Sequence, residues 1–162
     1  DWSLKHGNWG INVKDRKVNL YKGAEAKFNT STLERVAEGV ASLLSLPDAD
    51  LQKYANKTVY ISSFFVSQRD IFESALRVTG TKESDWDVAV LDADEVVEQS
   101  KQEVAKGNPM GFINAFYISH MREGLGGDYQ ARAKEDAKIL RLSAGNLDET
   151  MKRIVQALED QE

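Results

Sequence analysis

Residues 58 to 66, TVYISSFFV, form an unbroken run rich in β-branched and aromatic side chains, and a serine follows at once. Such a run, lacking polar alternation, is predicted to be a strand covered on both faces. Ser67 stands three residues before Asp70, the spacing at which a hydroxyl and a carboxyl cap a helix start reciprocally. Ile71, Phe72, Ala75, Leu76 and Val78 then make one apolar stripe, and Gly80 supplies a left-handed stop. Strand, cap, helix and stop are one half of an α/β unit, so the predicted class is α/β. A strand that needs cover on both faces also argues against a freestanding module with a closed core of its own.

The elements around this unit are read from the same signals. Trp9 to Val13 and Val18 to Tyr21 alternate about the polar Lys14-Asp15-Arg16 turn, which predicts a hairpin. Ser31 and Glu34 have capping-box spacing, and Leu33, Val36, Ala37, Val40, Leu43 and Leu44 follow at helical period until Pro47. Trp86 to Leu91 reads as a strand, and Asp92 with Glu95 opens a polar helix running to about Lys106. Asn108 and Pro109 open a helix from Met110 to about Arg122, which Gly124, Gly126 and Gly127 break. A charged segment from Gln130 to Leu142 follows, and Asn146 with Glu149 caps a last helix carrying Leu147, Met151, Ile154 and Leu158 on one face. Trp2 to Leu4 reads as an element already under way with no cap before it. The chain opens on Asp1 with no initiator methionine or signal-peptide pattern, so it is expected to be a piece of a longer protein.

Composition removes several function classes. With 26 acidic and 21 basic residues the formal charge is −5, the wrong field for a surface that tracks phosphates, and no nucleic-acid partner is expected. No apolar run approaches the roughly 20 residues that span a bilayer, so no membrane partner is expected and the expected location is cytoplasmic. Zero cysteines exclude thiol nucleophiles and zinc-thiolate sites, and two histidines make a multi-histidine metal site a poor fit. GLGGD at 124 to 128 follows a helix, whereas a dinucleotide fingerprint follows a strand and opens a helix. No tyrosine stands four residues before a lysine. Asp92, Asp94 and Glu95 are better explained by helix capping than by a metal, and Ser62 and Ser63 have no nucleophile elbow around them.

The most aromatic helix is the one place where the residues themselves suggest a ligand surface. At about 100° per residue, Met110, Phe112, Ile113, Phe116, Tyr117, His120 and Met121 gather within roughly half of its circumference, with His120 in the middle. One reading is a buried face with a hydrogen-bonded core histidine. The other shares the face between core and cleft. Phe112, Phe116 and Tyr117 then stack on an aromatic substrate, His120 hydrogen-bonds to its oxygen, and the glycine-rich loop moves over the ligand.

FNTSTLERVAEGVASLLSLPD (28 to 48), NKTVYISSFFVSQRDIFESALRVTG (56 to 80) and the later LxxxMxxIVxxL helix occur in an order that resembles the carboxy-terminal half of the isoflavone-reductase-like, or NmrA-like, family of fungal type, atypical relatives of the short-chain dehydrogenases. The resemblance covers nearly the whole chain. It implies that residues 1 to 162 are the carboxy-terminal part of a Rossmann-type protein: a small substrate lobe plus a late sheet strand and helix, with the amino-terminal dinucleotide-binding portion missing. The full-length parent would bind NADPH or NADH and reduce a small aromatic or carbonyl-type substrate between its two lobes. This chain alone would hold no cofactor, its partners being that substrate and the missing half of its own domain. The family's phosphate loop and proposed catalytic lysine have no counterpart here, so no catalytic or cofactor-binding residue is carried over. Trp2 would lie on the segment leaving the nucleotide domain along the crevice, which adds it to Phe112, Phe116, Tyr117 and His120 as candidate substrate contacts. Some NmrA-like proteins act instead as dinucleotide-sensing regulators that bind a protein partner, and this is the alternative reading.

Overall fold

Six of the eight α-helices among the described residues start on a capping side chain, and the computed structural model, which describes residues 1–160, shows where those caps fall. The first helix, α1 (Trp2–Lys5), carries its own cap: the Asp1 carboxylate accepts from the Trp2 N–H at 2.8 Å, contrary to the expectation of an uncapped start. Strand β1 (Ile11–Asn12) pairs antiparallel with β2 (Lys17–Lys22) across the predicted turn. The first strand is shorter than expected because a turn closed by the Gly10 N–H on the Gly7 carbonyl takes residues 7–10. After β3 (Phe28–Thr30) comes α2 (Leu33–Leu44), capped by Thr32 rather than Ser31. Thr32 Oγ1 accepts from the Arg35 N–H at 3.1 Å, while the Ser31 hydroxyl donates to the Ile61 carbonyl at 2.8 Å. The short α3 (Asp48–Leu51) follows Pro47.

Strand β4 (Phe64–Val66) leads into α4 (Gln68–Thr79) through a complete Ser67–Asp70 capping box, and Gly80 ends the helix in the left-handed conformation. Then come β5 (Asp87–Asp92), α5 (Ala93–Ala105) capped by Asp92, α6 (Pro109–His120) capped by Asn108, α7 (Gln130–Ile139) and α8 (Leu147–Glu159) capped by Asn146. The chain is therefore α/β. Its larger sheet has the order β1-β2-β5, with β2 and β5 parallel in register from Lys17 opposite Asp87 to Lys22 opposite Asp92. A second sheet is the antiparallel pair of β3 and β4. Among the described residues no helix is long and apolar enough to cross a membrane.

The expected strand over Thr58 to Val66 needs correction. Only its last three residues form a strand, and they are half-buried rather than covered on both faces. In the preceding stretch side chains take over the backbone groups that a neighbouring strand would pair. The Tyr60 N–H donates to the Asp136 carboxylate at 2.7 Å, and the Ile61 carbonyl accepts from Ser31. The apolar stripe of α2 is the second correction. Leu33 and Leu44 are each 68% exposed, Val36 and Val40 are exposed too, and the inward residues are Arg35 and Gly39. A side chain at position 39 would run into the Ile61 side chain, so glycine is what lets Ile61 pack directly against the helix there.

The core forms between the larger sheet and helices α4, α6 and α8, around Ile11, Val18, Phe72, Ile118, Met151 and Ile154. Gln68, buried at the start of α4, extends that sheet with its side-chain amide. Its Nε2 donates to the carbonyls of Trp9 and Asn19 at 2.7 and 2.8 Å, and its Oε1 accepts from the Tyr21 N–H at 3.2 Å. Helix α8 is fixed to α4 through Asp148, which accepts from the buried Ser74 hydroxyl at 2.6 Å and from the Arg77 guanidinium at 2.8 and 2.9 Å.

Those donors, Arg77 first, hold the Asp148 carboxyl down to about 2 from an ordinary 3.8. A folded-state value below the unfolded one gives stability that is present above about 3.8 and lost as pH falls toward 2. Solvent screening of this partly exposed pair limits the contribution to roughly 1 kcal/mol. Asp148→Asn is therefore expected to lower the unfolding free energy at neutral pH by that modest amount, and the gap to the unsubstituted protein should close as pH approaches 2. A gap unchanged across this window in paired urea titrations counts against the assignment.

Candidate functional site

Asn108 and Pro109 set the start of α6, with the Asn108 side chain accepting from the Met110 N–H at 3.0 Å. The helix packs along α5, with Gly111 buried against the Ser100 carbonyl, and it sends Ile118 into the core. It is apolar on nearly every side, so burying one face leaves another apolar face behind. That outer face carries Phe112, 66% exposed, and Phe116, 53% exposed.

The five residues singled out from the sequence fall in three places. Phe116, Tyr117 and His120 come together. Phe116 meets Tyr117 edge-on at 5.5 Å between ring centroids and lies nearly parallel to His120 at 5.9 Å, with 19° between planes. Tyr117 turns inward: its ring is edge-on to Trp9 at 4.5 Å, and its hydroxyl lies 2.8 Å from Ser3 Oγ. Phe112 stands one turn before Phe116 on the open side. Trp2, 54% exposed, packs against His6 at 4.4 Å with the rings tilted by 33°, rather than on the rings of α6, and the Ser3–Tyr117 bond ties its helix to α6.

Two aromatics and one amide that sequence reasoning missed complete the cluster. Trp9 and Phe28 stack at 4.5 Å and close the inner side of His120, at 6.0 and 5.6 Å from its ring. Asn29, almost fully buried, organises the surroundings. Its Nδ2 donates to Ser62 Oγ at 2.9 Å and Gln130 Oε1 at 2.8 Å, and its Oδ1 accepts from the Tyr129 N–H at 2.9 Å. Its backbone N–H donates to the Gly127 carbonyl at 2.8 Å, and its carbonyl lies 3.2 Å from His120 Nε2. A carbonyl oxygen only accepts, so Nε2 of His120 carries the proton. None of these partners is near Asn29 in sequence. Burial raises the nearby Tyr129 hydroxyl above its ordinary value.

Other sequence candidates have structural explanations. The glycine-rich turn joins α6 to α7, as its position after a helix predicted. Ser62 donates to the Phe64 carbonyl at 2.9 Å, and Asp92 caps α5. Among the described residues no three histidine, aspartate or glutamate side chains gather as a metal site would require. A cavity of about 1070 Å³, open to solvent, lies between the end of α2, residues 46–60 and α7. None of the five candidates lines it. The α6 surface is an open wall rather than an enclosed pocket.

Over 148 residues the chain is 26% identical to the oxidoreductase aprR of Aspergillus flavus, which takes in 91% of this chain and 47% of that protein. The chain thus spans about half the length of that relative, and the similarity is to an oxidoreductase at a distance that leaves the family unassigned. No family model matches the chain. No solved structure matches it.

The wall depends on the close approach of Gly127. A methyl group there would overlap the His120 carbonyl oxygen and come within 3.1 Å of Phe28 Cβ, and backbone can yield only by moving. Gly127→Ala is expected to cost ~1–3 kcal/mol and to lower Tm by roughly 2 to 10 °C, with faster hydrogen exchange at the Asn29 amide. An unchanged Tm and unchanged exchange overturn this account of the site's scaffold.

Proposed function

We propose that this chain is the substrate-lobe portion of an NAD(P)H-dependent reductase of the isoflavone-reductase-like or NmrA-like group, acting on a small aromatic or carbonyl-type substrate. The observation that carries the reading is the outward aromatic wall of α6, Phe112 and Phe116 leading to His120, on a chain similar to an oxidoreductase. Phe112 and Phe116 offer faces on which a planar ring stacks, His120 offers a polar contact at the end of the row, and Tyr117 holds the wall to α1. Trp2, on the helix that Ser3 ties to α6, would lie at the margin of this surface.

The residues present do not fit the dinucleotide itself. A pyrophosphate needs free backbone N–H groups at a glycine turn between strand and helix. Among the described residues the strand-to-helix turns, before α2, α4 and α5, are closed by the side chains of Thr32, Ser67 and Asp92 and contain no glycine. The proposal therefore places the cofactor and the hydride-transfer chemistry on parts of the protein outside this sequence, and no step is assigned to residues 1–162 beyond binding and orienting substrate.

One observation favours the second reading, a dinucleotide-sensing regulator that docks a protein partner. The exposed row of Leu33, Val36, Val40 and Leu44 is an apolar surface of the kind that marks an interface. In the reductase reading that row packs on the rest of the same protein.

Two measurements separate the readings. Residues 1–162 alone should show no saturable NADPH binding by nicotinamide fluorescence, and micromolar binding would move the cofactor site into this chain. In the whole protein, NADPH oxidation by aromatic aldehydes or ketones is expected, and Phe116→Leu should raise KM about 2- to 10-fold through lost stacking while NADPH affinity and Tm hold. Saturable NADPH binding without turnover of any carbonyl substrate favours the regulator. A lowered Tm with unchanged KM returns Phe116 to a purely structural role.

A further inference from the structure

Phe112, Phe116 and His120 lie at successive i, i+4 positions, so they form one row about 12 Å long on α6. The row ends in a nitrogen whose protonation the fold decides. Nε2 of His120 is committed as a donor to the Asn29 carbonyl at 3.2 Å, so in the neutral ring Nδ1 carries the lone pair. Among the described residues Nδ1 has no hydrogen-bond partner. The fully buried side-chain nitrogen or oxygen without a partner among the described residues is Arg35 Nε, so Nδ1 keeps some contact with solvent on a half-buried ring. The Asn29 carbonyl is itself held in place because the Asn29 side chain and N–H are tied to Ser62, Gln130, Tyr129 and Gly127. Trp9 and Phe28 close the inner side of the imidazole.

We infer that His120 Nδ1 is a specificity-determining acceptor that selects an aromatic ligand bearing a hydroxyl group. The ring lies along Phe112 and Phe116, and the hydroxyl donates to Nδ1. This rests on the proposed substrate role of the α6 wall and narrows it. A bare ketone or aldehyde oxygen has no proton to offer a nitrogen lone pair, so a carbonyl-type ligand recognised here needs a second group, a phenolic or alcoholic O–H. His120 is a positioning residue in this account: it orients the ligand, and no bond to carbon forms or breaks at it.

The test uses the whole protein, with 2-naphthol and its methyl ether as probes of equal ring size. Only the first can donate to Nδ1. A hydrogen bond of the ordinary net strength predicts that 2-naphthol binds about tenfold more tightly than the ether. His120→Gln places an amide donor where Nε2 was, which preserves the bond to the Asn29 carbonyl, but it leaves no acceptor at the Nδ1 position. It should erase the preference with Tm unchanged. His120→Asn keeps an acceptor near the Nδ1 position and should retain part of the preference. Imidazole ¹⁵N spectra should report the Nε2–H tautomer independently of any ligand. Equal binding of the two probes, binding of neither, an Nδ1–H tautomer, or a preference that survives in His120→Gln each overturn the inference. A hydroxyl preference in a protein that oxidises no NADPH leaves this site standing and removes the reductase reading alone.

Discussion

Asn29 is the point on which this structure turns. A buried asparagine has two donors and an acceptor on its side chain and one of each on its backbone, and leaving any unpaired costs more than the bond is worth when made. Here each finds a partner: a serine of the segment before β4, a glutamine and a backbone N–H at the start of α7, a carbonyl of the glycine turn and the imidazole of α6. Four separate parts of the chain thus converge on one residue, two on its side chain and two on its backbone. Because the network is saturated, moving any one part strands a buried polar group in another, and this coupling lets a short two-stranded sheet carry an aromatic wall at a fixed position.

Gln68 does the same for the other sheet, where β1 ends too soon to pair the whole of β2. In both places an amide side chain stands in for a strand. The substitution is informative about the chain's surfaces. Backbone groups of the 58–63 segment are met by side chains of Ser31 and Asp136, while the apolar side of α2 has no cover among the described residues. Polar satisfaction is largely complete and apolar burial is not, which is the pattern of a surface made to be covered.

The helix boundaries were legible because caps are local chemistry. Ser67 with Asp70, Asp92, Asn108 and Asn146 act within three residues of themselves, and each is where the sequence places it. Thr32 in place of Ser31 is a near miss between neighbouring hydroxyls, decided by Ile61 drawing off the Ser31 hydroxyl. Which face of a helix turns inward is not local. The α2 pattern announces an amphipathic helix correctly and says nothing of whether the apolar side has a partner within the chain. For the site, the α6 periodicity located Phe116, Tyr117 and His120, but Trp9, Phe28 and Asn29 reach them from distant sequence positions and leave no motif. Periodicity also could not show that Tyr117 faces in while Phe112 faces out, because α6 is apolar on nearly every side and gives no direction.

The exposed rings explain why a polar anchor at the end of the row matters more than the row itself. A phenylalanine side chain presents on the order of 150–250 Å², and about half to two thirds of Phe112 and Phe116 stays in water. Covering what remains is worth about 6 kcal/mol at ~25 cal/mol per Å², whereas association itself costs ~4 kcal/mol or more. Stacking on an open wall therefore holds an aromatic molecule only weakly and scarcely distinguishes one ring from another. Discrimination has to come from a directed contact, and His120 is the group on the row whose orientation and tautomer the fold fixes. In the proposed reductase reading a second wall would supply affinity and chemistry, and α6 the choice of ligand. Such a division lets one scaffold keep its reaction while the ligand changes with two or three side chains on a single helix.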